Sequence, residues 1–148
     1  MQRTPWIIGA IIVLAIVINA MTNIATEAGS PSREAPAGAE AQDRAAQSGL
    51  RNALAAAKTY FADDDSYKGF DPTVGAMIEP SLSYAGDRTA TAGVISINLV
   101  TKTEVVMSTV SDSGQAFCIA DAVTGSGTTF GRVDAAGAKS SVACNGGW

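Results

Sequence analysis

Histidine is absent from the 148 residues. The chain therefore lacks the usual general base near neutral pH, the commonest metal ligand and the usual partner of a nucleophilic serine or cysteine. An enzyme built without it must work through carboxylates, lysine or a cofactor. Cysteine is scarce: Cys118 and Cys144 stand far apart, with no C-x-x-C and no C-x-x-C-H, so the zinc, thioredoxin-type and c-type haem patterns fail. Positive charge is also short. Ten Lys and Arg face 14 Asp and Glu, a net charge of −4, and no basic patch is present to contact phosphates, which argues against a nucleic-acid partner. No motif points to a cofactor or a small-molecule substrate.

What the chain does have is one long apolar run. Trp6 to Ala25 carries no charge. As a helix it would span ~30 Å at ~1.5 Å per residue, enough to cross a bilayer core. Trp6 suits a membrane interface. Arg3 precedes the run and no Lys or Arg follows until Arg33, so the positive-inside rule puts the N-terminus in the cytoplasm and the rest outside, periplasmic or extracellular. A cleaved signal peptide is the other reading: Trp6 to Ile18 has the length of its apolar region, with small residues at Ala20 and Ala28. Both readings export the remainder of the chain. Ala15, Asn19, Thr22 and Asn23 fall on one side of the helix, where small and amide side chains can contact a neighbouring span. Alternatively, Asn19 and Asn23 already sit among the outer headgroups.

Pro31, Pro36 and two glycines make residues 28–39 a linker. The parts are then a membrane helix with a short cytoplasmic start (1–27), the linker (28–39) and an extracytoplasmic domain (40–148). Within the domain, Ala46, Leu50, Ala53, Leu54, Ala57 and Phe61 recur at steps of three and four, which predicts a helix over about 40–61. Arg44, Gln47, Arg51 and Lys58 take its other side, and Glu40 and Arg44 form an i,i+4 pair. Gly49 costs such a helix up to ~1 kcal/mol, so close packing is its expected use. Residues 62–81 read as irregular, broken by Gly69, Pro72, Gly75 and Pro80.

The remainder reads as strands. Residues 93–100 place Ile95, Ile97 and Leu99 on one face. Residues 103–110 place Val105 and Met107 on one face, with Val106 and Val110 on the other. Residues 115–123 and 128–133 read as two more strands, with turns at 101–102, 111–114 and 125–127. One long helix against about four antiparallel strands is an α+β layer arrangement. In an exported domain, Cys118 and Cys144 are most simply a disulfide, pinning a Gly- and Ala-rich tail that has few large apolar side chains of its own.

The stretch "RNALAAAKTYFADDDSYKGF", the antiparallel sheet and the late pair "FCIA…VAC" together resemble a type IV pilin or pseudopilin over about residues 40–146. The resemblance implies a helix packed on a four-stranded sheet, an acidic connecting loop and a disulfide-bounded C-terminal region. The N-terminus departs from that pattern. It has no short leader ending in Gly before a Phe-Thr-Leu-Ile-Glu type start, no glutamate in the apolar run, and a Pro-containing linker where pilins usually continue the helix. These departures point to a pilin-like domain on a permanent membrane tether.

Asp63, Asp64 and Asp65 raise the question of a metal site. Counted from Asp63, an EF-hand loop would need an acid where Tyr67 stands, Gly where Lys68 stands and Glu where Val74 stands. The pattern fails, leaving Asp63, Asp65 and Asp71 as a looser calcium set against a plain helix stop made by Asp63 to Ser66. Tyr60, Phe61, Tyr67 and Phe70 are expected to anchor the loop on the sheet. The sequence thus points to a non-catalytic structural or interaction subunit. Its partners would be other membrane-protein subunits and the lipid bilayer, in a respiratory, photosynthetic or secretory assembly. A minor pilin or pseudopilin, and a small-ligand-binding domain, stand as the other readings.

Overall fold

A computed structural model describes residues 37–148. The transmembrane expectation and the stripe Ala15, Asn19, Thr22 and Asn23 lie outside the described residues. Among the described residues, no helix is long and apolar enough to cross a membrane.

Helix α1 runs Ala37–Asp64, longer at both ends than the periodicity implies and starting inside the expected linker. The predicted stripe is the buried one: Leu50, Ala53, Leu54 and Ala57 are buried, joined by Ala56. Ala46 and Phe61 are partly buried against the same core.

The helix ends at the aspartates, and of the expected side-chain bonds to local backbone Ser66 makes one, its Oγ accepting from the Lys68 N–H at 3.0 Å. Asp65 takes a left-handed backbone (φ 50°), and its N–H donates to the Phe61 carbonyl at 2.8 Å. Asp tolerates this conformation better than most residues, but Gly adopts it without steric cost. Asp65→Gly is therefore expected to stabilise the fold by up to ~1 kcal/mol, and a calorimetric melt of the two proteins checks it.

The stretch expected to be irregular contains a second helix, α2, Pro72–Ile78. Asp71 caps it, its Oδ1 accepting from the Thr73 N–H at 2.8 Å and the Val74 N–H at 2.9 Å, with Pro72 at the first position. Seven residues are too few for periodicity to reveal. Gly75 sits close against the sheet: a Cβ there would stand 3.0 Å from the Tyr84 ring, which would have to give by a few tenths of an ångström.

The sheet has five strands rather than four, and it is mixed. Its order is β1-β2-β3-β4-β5, with β1 Ser83–Ala85, β2 Val94–Val100, β3 Glu104–Val110, β4 Ala116–Ala122 and β5 Gly127–Val133. The last four form the expected antiparallel meander. The added strand β1 pairs in parallel with β2 and is only three residues long.

Strand β2 also departs from simple alternation. Ile97 pairs with Met107, but Leu99 pairs with Val106, so Asn98 is an extra residue in a bulge. Ile95 and Ile97 consequently face α1, whereas Leu99 turns to the opposite side of the sheet. The helix side carries the main core of Leu50, Leu54, Ile97, Met107, Phe117, Ile119 and their neighbours. The other side carries a smaller core of Val106, Cys118, Ala120, Ala138 and Cys144, roofed by the tail after β5.

Gly49 is not forced by packing. A Cβ built there would meet Leu82 and Ile95 at 3.8 and 3.9 Å, ordinary contact distances.

Candidate functional site

Strand β4 is buried along its whole length, and its sequence AFCIADA contains one charge, Asp121. A buried carboxylate must be paired or hydrogen-bonded. Asp121 is both. The Lys58 ammonium from α1 lies 2.8 Å from Oδ1, the Thr128 hydroxyl from β5 donates to Oδ1 at 2.6 Å, and the Tyr67 hydroxyl donates to Oδ2 at 2.7 Å. Burial alone would push this carboxyl up, but the hydrogen bonds from Lys58, Thr128 and Tyr67, with the Lys58 charge, outweigh it and hold it below the usual carboxylate range. Tyr67 is pushed well above the usual phenol range, first by its own burial and then by Asp121.

This node joins the helix, the acidic loop and two strands. A carboxylate held ionised by three donors is a weak base, which suits a brace better than proton abstraction. Neither Asp121 nor its partners stand out as a site in the sequence. The available signal is a lone Asp, next to last in an otherwise apolar strand.

The loop aromatics behave as expected. Tyr67 and Phe70 are almost fully buried. Phe61 packs on Tyr67 with ring centroids 4.7 Å apart, and Tyr60 on Phe70 at 5.9 Å. The three candidate calcium ligands are not brought together: among the described residues, no group of three or more His, Cys, Asp or Glu is placed to hold a metal ion. Asp63 and Asp65 are exposed at the helix end, and the Asp71 carboxylate caps α2.

Cys118 and Cys144 are bonded to each other, with their Cα atoms 5.8 Å apart and both residues fully buried. The bond is one of several ties on the tail. Gly131 lies so close beneath it that a Cβ would collide with the Asn145 carbonyl oxygen. The Gly147 N–H donates to the Phe130 carbonyl at 3.0 Å, extending the hydrogen bonding past the end of the sheet at β5. Trp148 then packs edge-on against Phe117, with the Arg51 guanidinium 4.7 Å over its ring. Further back, Gly137 sits over the buried Ser108–Asn98 hydrogen bond (2.6 Å), and Lys139 pairs with Asp87. Few apolar side chains thus hold the tail, as expected: Ala138, Cys144 and the half-buried Trp148, with these polar ties beside them.

One recess remains. A groove of about 440 Å³ lies between the first half of α1 and the sheet, lined by Ala41, Ala45 and Gly49 on the helix and by Leu82, Ile95 and Val110 opposite. Ser111 and Asp112 close one end. There the Ser111 and Ser113 hydroxyls donate to Asp43 Oδ1 at 2.6 and 2.5 Å, tying the β3–β4 turn to α1.

No family model matches the chain, and no curated protein or solved structure matches it.

Proposed function

We propose that the protein is a non-catalytic, single-span membrane subunit whose pilin-like extracytoplasmic domain packs on a larger membrane assembly. The observation that carries this reading is the buried Cys118–Cys144 bond in a chain whose Trp6 to Ala25 run is long and apolar enough to cross a bilayer. Disulfides persist in oxidising compartments. A structural disulfide and an apolar run N-terminal to it fit a domain held outside the cytoplasm. The long helix on a sheet, the acidic loop after it and the cystine-pinned tail support the likeness to pilins. The Pro-containing linker supports a tether rather than a continuous filament-forming helix.

A linker ahead of α1 would uncouple the domain from the membrane helix. Helix and domain can then dock on separate faces of one partner, and two weak contacts so joined bind with an avidity above either alone. The stripe Ala15, Asn19, Thr22 and Asn23 would supply the helix contact.

Two results are expected. The protein stays with the membrane on carbonate extraction, and release into the soluble fraction would defeat the tether. Replacing Asn19 and Asn23 together by Leu keeps insertion but removes interhelical hydrogen bonds of ~1 kcal/mol each, so less partner copurifies. An unchanged partner yield would leave recognition to the domain alone.

A further inference from the structure

Gly49 breaks a local rule without a packing reason. It sits in the interior of α1, where glycine is unfavourable, and a methyl group would fit there without clash. What it does is deepen the apolar groove. Residues that cost stability without aiding packing concentrate at functional sites. The groove's volume also falls in the range of small-ligand sites.

The chemistry of the groove selects the ligand. Its walls are mostly apolar, with Gln42 on α1 and Thr109 on β3 as polar members, and no Lys or Arg lines it. Its polar end carries negative charge. Asp112 is exposed, Asp43 is oriented by two serine hydroxyls, and neither has a cationic partner among the described residues, where the ion pairs are Glu40–Arg44, Lys58–Asp121 and Asp87–Lys139. We propose that this groove binds a small aliphatic ammonium compound, with its apolar stem between α1 and the sheet and its cationic head at the Ser111–Asp112 end, where Asp43 stands one hydrogen bond behind Ser111. An anion would meet uncompensated carboxylates there, and a neutral alcohol would gain only the apolar contact. The site does not depend on the membrane reading.

The test is calorimetric titration of the full chain with n-hexylammonium, n-hexanol and hexanoate at neutral pH. Saturable binding of the ammonium is expected, about tenfold or more tighter than the alcohol, as a charge-assisted hydrogen bond provides, with no binding of hexanoate. Ala45→Leu, at an exposed helix position lining the groove, fills the groove and is expected to abolish binding without loss of fold. Asp112→Asn, at an exposed turn position, is expected to weaken binding about tenfold. Gly49→Ala is expected to bind more weakly while melting at a higher temperature. The proposal is overturned if hexanoate or hexanol binds as tightly as the ammonium, if Ala45→Leu leaves affinity unchanged, or if Gly49→Ala melts lower.

Discussion

Replacing Cys118 and Cys144 together by alanine is expected to destabilise the domain by about 3–4 kcal/mol, the chain-entropy cost of opening a loop of roughly 27 residues. For a domain of this size that lowers the melting temperature by on the order of 10–20 °C. Alanine is the better replacement because both sulfurs lie in an apolar cluster with Val106, Ala120 and Ala138, where a serine hydroxyl would be buried without an assured partner. The loss should be uneven. The tail's remaining anchors, Ala138 and the Trp148 ring, are small in number, whereas α1 keeps its contact with the sheet through Leu50, Leu54, Met107 and Phe117. Hydrogen exchange should therefore speed up first over residues 134–148 and last in α1 and β3–β4. Uniform acceleration would mean that the tail and the main core unfold as one unit.

The second large effect is expected at Asp121. Asp121→Ala leaves the buried Tyr67 hydroxyl without its acceptor, a cost of ~1–3 kcal/mol. Lys58 contributes less to the loss, since its side chain is 47% exposed and can turn to water. A net loss of about 2 kcal/mol is expected, measured by urea denaturation.

The same node sets a pH dependence with two limbs. The folded carboxyl of Asp121 is depressed, so its contribution is present above the unfolded value near 4 and fades as the pH falls below it. The folded phenol of Tyr67 is raised, so its contribution is present below the unfolded value near 10 and fades as the pH rises through and beyond it. Tyr84, pushed up to about 12 chiefly by burial, adds to the alkaline limb. Asp121→Ala should flatten the acid limb of the stability profile, and Tyr67→Phe should reduce the alkaline limb without removing it. An acid limb unchanged in Asp121→Ala would show that other carboxylates govern it.

The parts of this fold that are legible in sequence are those where one periodicity runs long enough to be counted. Helix α1 declares itself through Leu50, Ala53, Leu54 and Ala57, two of the meander strands through alternation, and the other two through the Gly-containing turns at 111–114 and 125–127. The three-residue β1 and seven-residue α2 each complete fewer than two repeats of their period, too few for a pattern to be counted. Simple alternation puts Leu99 on the helix side, and it is wrong there because a bulge at Asn98 is a pairing event, and pairing is not written in one strand's own pattern.

The candidate sites divide in the same way. Cys118 and Cys144 can be paired because only two cysteines exist. Asp121 acquires its meaning from Lys58, Tyr67 and Thr128, which lie on three other parts of the chain. The groove is a property of two elements facing each other, and Gly49 misleadingly suggests close packing because a glycine that makes room and a glycine that removes a clash look alike in a sequence. Asp63, Asp65 and Asp71 read as a loose cluster along the chain, yet the structure separates them, with one spent on capping α2.

The most direct test of the central claim is purification of the full-length protein from its native membranes in a mild detergent, with identification and quantification of the proteins that accompany it. A fixed stoichiometric set of membrane-protein subunits that survives gel filtration with the chain is the predicted result. Recovery of the chain alone, or its appearance in the soluble fraction before detergent is added, would contradict it.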